Sequence, residues 1–148
     1  MRKVYSFLDD LERTGPAYIR DVQRHTLDKR KNTGLAGKYG LYGSDVWWES
    51  IKSGRMPIEA IEGVIVRAFE EGQDNTGELN AIHLRSTSGE VVTEPIYVNR
   101  LDDIRLFQPG ARIKIVKVLE TLKDPSLSLR DDGLHPITLE IFIGRPSR

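Results

Sequence analysis

The 148-residue sequence contains no cysteine and no long run of apolar residues, and neither sign of charge is in excess. Without cysteine, a disulfide scaffold, thiol chemistry and a cysteine-ligated zinc site are excluded, and the composition fits a reducing compartment without proving one. No apolar run approaches the roughly 20 residues that a membrane-spanning helix needs. Asp9 and Asp10 interrupt the apolar residues near the N-terminus, which argues against a cleavable signal peptide. The sequence therefore predicts a soluble, cytoplasmic protein without a membrane partner.

The composition supports a folded core, but the charges are distributed unevenly. Apolar residues make up 39% of the chain and charged residues 30%, which is enough apolar surface for one domain-sized core. Residues 1–57 carry 11 Lys and Arg against 7 Asp and Glu, whereas residues 58–148 carry 11 against 15. Three interpretations are open: the two parts attract each other, the first part faces a different partner, or the surface is ordinarily mixed.

The basic N-terminal part has the pattern of short helices and a glycine-rich loop. Residues 3–13 and 16–28 have apolar residues at helical spacing and predict two helices, the second with Pro16 in its first turn. Glycine then recurs at every third position, at Gly34, Gly37, Gly40 and Gly43. Without proline this spacing cannot form collagen, so it predicts an irregular loop. Ser44 or Asp45 is suited to cap a third short helix that stops near Gly54.

The acidic C-terminal part has the pattern of strands. Alternating or continuous apolar residues predict five of them, at Ile61–Glu70, Leu79–Thr87, Glu90–Val98, Arg112–Leu122 and Ile137–Ile143. Residues 72–78 are a turn by composition, and Ser88-Gly89 makes a tight hairpin connection. Pro95 indicates an edge strand or a bulge, because proline cannot donate to a sheet ladder. A short helix capped by Asn99, with Leu101, Ile104 and Phe107 inward, is expected between the third and fourth strands.

This order of elements, β-β-β-α-β-β, resembles the oligonucleotide/oligosaccharide-binding (OB) fold, a five-stranded and partly open barrel. The resemblance covers roughly residues 58–144 and concerns architecture alone, and an SH3-like barrel or a small sandwich would explain the same strands. The predicted fold class is therefore α+β, mainly β. Residues 1–57 are expected to form a helical and glycine-rich arm, and residues 58–148 an OB-like β-barrel domain.

The loops that an OB fold uses for ligands are acidic in this sequence. The loop around residues 71–78 contains Glu71, Asp74 and Glu78 without a basic residue, and residues 123–135 contain three aspartates against Lys123 and Arg130. Phosphate backbones require the opposite charge. Nucleic-acid binding on the usual barrel face is therefore disfavoured, whatever the fold suggests by analogy.

Residues 29–48, here named the basic–aromatic segment, contain the candidate binding residues. The basic members are Lys29, Arg30, Lys31 and Lys38, and the aromatic members are Tyr39, Tyr42, Trp47 and Trp48. Basic residues interleaved with aromatic rings are typical of single-stranded nucleic-acid binding, in which cations follow the backbone and rings stack on bases. Partly exposed aromatic residues are equally typical of protein interfaces. The alternative is that the cations are solvated and both tryptophans pack inside the protein.

No residue pattern commits the chain to catalysis. His25, His83 and His135 lack the spacing of a metal motif, and neither a nucleophile elbow nor a phosphate-binding loop is present. Asp9-Asp10, Asp102-Asp103 and Asp131-Asp132 are paired carboxylates that acid–base or metal chemistry can use. The leading hypothesis is a non-enzymatic binding or adaptor protein that recognises another protein or a second copy of itself, with no cofactor or metal. Single-stranded nucleic-acid binding through residues 29–48 and a carboxylate-dependent enzyme remain as alternatives.

Overall fold

The computed structural model describes residues 1–72 and 77–146, so most of the predicted turn at residues 72–78, with Asp74, lies outside the described residues. In chain order the elements are β1 (Arg2–Ser6), α1 (Phe7–Thr14), α2 (Pro16–Leu27), α3 (Asp45–Lys52), β2 (Ile58–Phe69), β3 (Ala81–Ser86), β4 (Val91–Pro95), a 3₁₀ helix (Leu101–Leu106), β5 (Arg112–Thr121), a 3₁₀ turn (Pro125–Leu127) and β6 (Leu134–Gly144).

The strands form one six-stranded antiparallel sheet in the order β1-β6-β5-β2-β3-β4. Strands β2 to β6 follow the predicted β-β-β-helix-β-β sequence, with the first 3₁₀ helix between β4 and β5. The predicted α+β, mainly β class is thus confirmed. Among the described residues the sheet is not closed, and its arrangement is compatible with a small barrel-like fold.

The N-terminal strand corrects the predicted helix at residues 3–13. Arg2–Ser6 pairs with β6, with Tyr5 opposite Ile141, and the helix begins only at Phe7. The side chain of Asn99 accepts from the backbone N–H of Ser6 at 2.7 Å and donates to its carbonyl at 3.1 Å. Hydrogen bonds from residues more than 90 positions away outweigh the local helical spacing, because they satisfy the backbone and bury Val4 and Tyr5.

The other two predicted helices are confirmed. Pro16 opens α2, where its missing N–H costs no hydrogen bond, and the helix ends at Leu27. Ser44 caps α3 by accepting from the backbone N–H of Trp47 at 3.3 Å. Gly54 follows the end of α3 with φ of +80°, a left-handed conformation that glycine adopts without strain.

The predicted hairpin is also confirmed, and the helix that follows it differs in detail. β3 and β4 pair in register from Ala81 opposite Pro95, and β4 is the edge strand that Pro95 predicts. Arg100 rather than Asn99 precedes the 3₁₀ helix, because the Asn99 side chain is bound to Ser6. Phe107 is buried as expected, whereas Leu101 is 74% exposed, so its predicted inward position is wrong.

The chain divides into two compact units. The first unit consists of Met1–Asp9, Ala60–Val116 and Leu139–Arg148. Its largest fully buried side chains are aliphatic: Ile65, Ile82, Leu84, Ile113, Ile115 and Ile141. The second unit consists of Asp10–Glu59 and Lys117–Thr138, and its fully buried side chains are Trp47, Ser50, Met56, Val118 and Glu120. The division predicted from the sequence, into an arm of residues 1–57 and a barrel domain of residues 58–148, stays a prediction.

Candidate protein interface

Three aromatic residues of the basic–aromatic segment join Tyr18 of α2 in a row of ring contacts within the second unit. Tyr18, Tyr42, Trp47 and Trp48 contact one another in that order, with ring centroids 6.2, 5.5 and 4.9 Å apart in edge-to-face geometry. Trp47 is 0% exposed and Tyr42 is 7% exposed, whereas Trp48 and Tyr39 are partly exposed. Of the four predicted aromatic contacts, Tyr39 and Trp48 are therefore accessible, and Tyr42 and Trp47 lie beneath the surface.

A buried carboxylate supports the inner tryptophan. The indole Nε1 of Trp47 donates to Glu120 Oε2 at 3.3 Å, and Glu120 is 0% exposed. The other carboxylate oxygen, Oε1, has no hydrogen-bond partner among the described residues. Burial raises the pKa of Glu120, because desolvation penalises the charged form, and the bond from Trp47 offsets only part of this effect. Glu120 thus places a titratable carboxyl group in the interior of the second unit.

The glycine series brings its loop onto the helices of the same unit. All four glycines have positive φ, and a side chain on any of them would contact α2 or the residues of α3. A Cβ at Gly34 would lie 2.7 Å from the ring of His25, and one at Gly40 would lie 2.8 Å from Val46. Glycine at every third position therefore serves close packing of the chain on itself. The predicted irregular loop is confirmed.

The basic members of the segment lie at the surface. Lys29, Arg30, Lys31 and Lys38 are all exposed. Arg30 pairs with Asp28 at 3.1 Å, and this partner lowers the pKa of the Asp28 carboxyl. The ammonium of Lys38 lies 5.4 Å from the ring centre of Tyr39, within cation–π range. The structure therefore presents one cation, Lys38, beside the partly exposed Tyr39. The alternative of nucleic-acid binding rests on the exposure of the basic residues alone.

Residues 124–133 form a second loop of the same unit, named the leucine loop here. From the sequence, this loop was considered for nucleic-acid binding and missed as a protein-binding candidate. Lys123 fixes its start: the ammonium donates to the backbone carbonyls of His25, Asp28 and Lys31 at 2.8, 3.0 and 3.1 Å. Asp124 then accepts from the backbone N–H and the hydroxyl of Ser126 at 3.1 and 2.6 Å. The start of the leucine loop is thus tied to the backbone next to the basic residues.

An ion-pair network fixes the far side of the leucine loop. Arg130 donates to Asp132 at 2.8 Å and to Glu59 at 3.0 Å. The guanidinium holds the pKa of Asp132 at about 2, chiefly through this hydrogen bond. The loop borders an open pocket of about 390 Å³ lined by Leu129, Arg130, Asp131 and Asp132. The sequence feature that could have identified this loop as a binding candidate is its two leucines, Leu127 and Leu129, within a stretch of turn-forming residues.

Three of the residues considered for catalysis contact other side chains of the protein. Asp103 is 4% exposed and pairs with Arg2 at 3.1 Å, and Asp132 belongs to the network just described. His25 lies 2.9 Å from the hydroxyl of Thr33. Within residues 1–72 and 77–146, no three His, Asp or Glu side chains come close enough together to hold a metal ion. In the same ranges, no helix has the length and apolar character needed to cross a membrane.

Comparison with known proteins gives one family. The family model described as Immunity protein RhsI2 matches residues 1–144 of the chain. No curated protein matches the sequence.

Proposed function

Since the chain belongs to the immunity protein RhsI2 family, we propose that it neutralises a toxin protein by binding to it directly. An immunity protein protects a cell from a toxin, and family membership indicates a protein-binding role. A binding protein blocks a toxin by covering the surface with which the toxin acts, so this chain need not catalyse a reaction. The proposed role is that of a non-enzymatic inhibitor with one protein partner.

The observation that carries the proposal is the extent of the family match. Residues 1–144 include every helix and strand of the structure and the described parts of both units. The family assignment therefore concerns the whole described fold and not a short motif shared with unrelated proteins.

The accessible part of the basic–aromatic segment supports a protein interface. Tyr39 and Trp48 are partly exposed, and aromatic residues at a surface are frequent anchors for protein partners. Trp47 holds the ring of Trp48 from one side at 4.9 Å, so Trp48 gives up little side-chain freedom on binding. We assign the toxin contact to Tyr39 and Trp48 together with the exposed cations Lys29, Arg30, Lys31 and Lys38, supported from beneath by Tyr42 and Trp47.

Direct binding is tested by measuring how many molecules of the chain are needed for each molecule of toxin. Calorimetric titration of the purified chain into the toxin from which RhsI2 confers immunity is expected to show saturable binding at a fixed ratio, one chain per toxin. In cells that express both proteins from separate inducible promoters, growth is expected to recover only when the chain is at least equimolar with the toxin. An inhibitor that works by binding stays on its toxin, so each toxin molecule requires one molecule of the chain.

Two results would contradict the proposal. One is protection at a small fraction of the toxin concentration, which would indicate turnover and hence an enzyme. The other is full protection without any calorimetric binding, which would indicate action on the toxin's target. The control is the same toxin with an unrelated protein of similar size, which should leave growth arrested at every ratio.

A further inference from the structure

Two leucines of the leucine loop have exposed side chains, and Leu129 is the more exposed of the two. Leu127 is 55% exposed and Leu129 is 104% exposed, so Leu129 is as accessible as in an extended peptide. Single exposed apolar residues are common on protein surfaces and need no explanation. Two of them within three residues of one loop, between serines and aspartates, form an apolar projection with polar surroundings.

The loop that carries the leucines is held in one conformation by its own polar side chains. Ser128 Oγ accepts from the backbone N–H of Arg130 at 3.0 Å, and Asp132 accepts from the backbone N–H of Leu134 at 3.0 Å. The hydroxyl of Ser128 also donates to the carbonyl of Leu134. These bonds fix the backbone on both sides of Leu129. A segment fixed before binding loses little conformational entropy when it binds, which is the advantage of a preformed anchor.

The charge of the leucine loop is negative. Residues 124–133 contain three aspartates and one arginine. The guanidinium of Arg130 is engaged with Glu59 at 3.0 Å and Asp132 at 2.8 Å, so its charge is matched within the unit. Asp131 is exposed next to the open pocket that Leu129 borders. The surface around the exposed leucines therefore presents carboxylate charge to a partner.

On the premise of the proposed function, we propose that the leucine loop is an anchor that enters an apolar pocket of the toxin bordered by Lys or Arg side chains. The apolar pocket follows from Leu127 and Leu129, which gain from removal from water. The basic border follows from Asp131 and the negative balance of the loop, since interfaces place opposite charges together. A stable interface buries roughly 800 Å² on each partner, so the loop is the anchor of the contact and not the whole of it.

The anchor is tested with serine substitutions in the full-length chain, titrated against the same toxin in the calorimeter. Leu129→Ser is expected to weaken binding by roughly 10-fold or more, and Leu127→Ser with Leu129→Ser by roughly 100-fold. The matched control is Leu101→Ser, an exposed leucine of the first unit at 74% exposure, which should change the dissociation constant less than about 2-fold. All three leucines are exposed, so thermal unfolding should be unchanged in each variant.

The charge of the proposed pocket border is tested by Asp131→Lys in stopped-flow association with the toxin. This variant is expected to associate more slowly than the wild type, and the difference should shrink as salt is added, because salt screens exposed charges. Glu90→Lys, at an exposed position in the β3–β4 turn, is the matched charge reversal and should leave the rate unchanged. An Asp131→Lys variant that associates as fast as Glu90→Lys would overturn the basic border.

The outcomes separate the anchor from the function on which it rests. A wild-type chain that binds the toxin, with the double leucine variant binding equally tightly, overturns the anchor and leaves the proposed function standing. A wild-type chain that does not bind the toxin overturns both. Loss of affinity in the double variant but not in the Leu101→Ser control supports the anchor.

Discussion

Replacing the buried carboxylate Glu120 by glutamine is expected to stabilise the protein at neutral pH and to change how stability depends on pH. Glutamine keeps an oxygen that accepts from Trp47 Nε1 and removes the charge that burial disfavours. The present carboxylate is 0% exposed, and its Oε1 has no partner among the described residues. The substitution is nearly isosteric, so packing around it should be retained.

The sign and size of the effect follow from proton linkage. The pKa of Glu120 in the folded protein is raised above its ordinary value of 4.5, so the folded state holds this proton to higher pH than the unfolded state. The stability that protonation contributes is complete below pH 4.5 and is lost as pH rises through the folded pKa. Between the two pKa values the wild type should lose up to about 1.4 kcal/mol per pH unit relative to Glu120→Gln. The total change equals about 1.4 kcal/mol multiplied by the difference between the folded and the unfolded pKa of Glu120.

Urea unfolding followed by tryptophan fluorescence from pH 4 to pH 8 measures this difference, because the fully buried Trp47 reports on the same unit. The gain in unfolding free energy from Glu120→Gln should grow with pH and then level off. In a separate thermal unfolding experiment at pH 8, each kcal/mol of this gain should raise the melting temperature by about 2–4 °C. Glu62→Gln is the matched control, since Glu62 is exposed and its ion pair with Lys114 at 3.8 Å lies at the surface. A constant difference between Glu120→Gln and the wild type over this pH range would refute the reasoning.

Two further predictions concern the basic–aromatic segment. Trp47→Ala should cost about 3–5 kcal/mol of unfolding free energy, because it empties a fully buried site and removes the donor to the buried carboxylate. Trp48→Ala should keep the fold, measured by circular dichroism, and weaken toxin binding, measured by calorimetry. If both variants unfolded, the assignment of Trp48 to the toxin contact would be wrong. Gly40→Ala should destabilise the protein by at least about 1 kcal/mol more than Gly54→Ala in urea unfolding, since both have positive φ but only the Cβ at Gly40 would meet neighbours, at 2.8 Å from Val46; equal losses would show that the close packing contributes nothing.

The elements that were predicted correctly are those whose ends are marked by residues within the element or next to it. Pro16 and Ser44 mark the starts of α2 and α3, and the tight Ser88-Gly89 connection joins the two strands of the hairpin. Pro95 placed β4 at an edge because a residue without an N–H cannot serve a central strand. These signals act over a few residues, so no distant partner was needed to interpret them.

The element that was predicted wrongly depends on a distant partner. Residues 3–6 belong to the helix predicted at residues 3–13, but β6 and Asn99 provide hydrogen bonds to this segment from more than 90 positions away. The environment of Glu120 also depends on a distant segment, because the packing of α3 brings Trp47 against it.

Local sequence patterns were enough to predict the α+β, mainly β class, the helices α2 and α3 and a set of residue types suited to a protein interface. The family match agrees with the protein-binding role. The tertiary structure decided which members of that set are accessible: Trp48 but not Trp47, and Leu129 with the carboxylates beside it. The physical reason is that residue type and spacing are local properties, whereas burial depends on which remote segments cover a side chain.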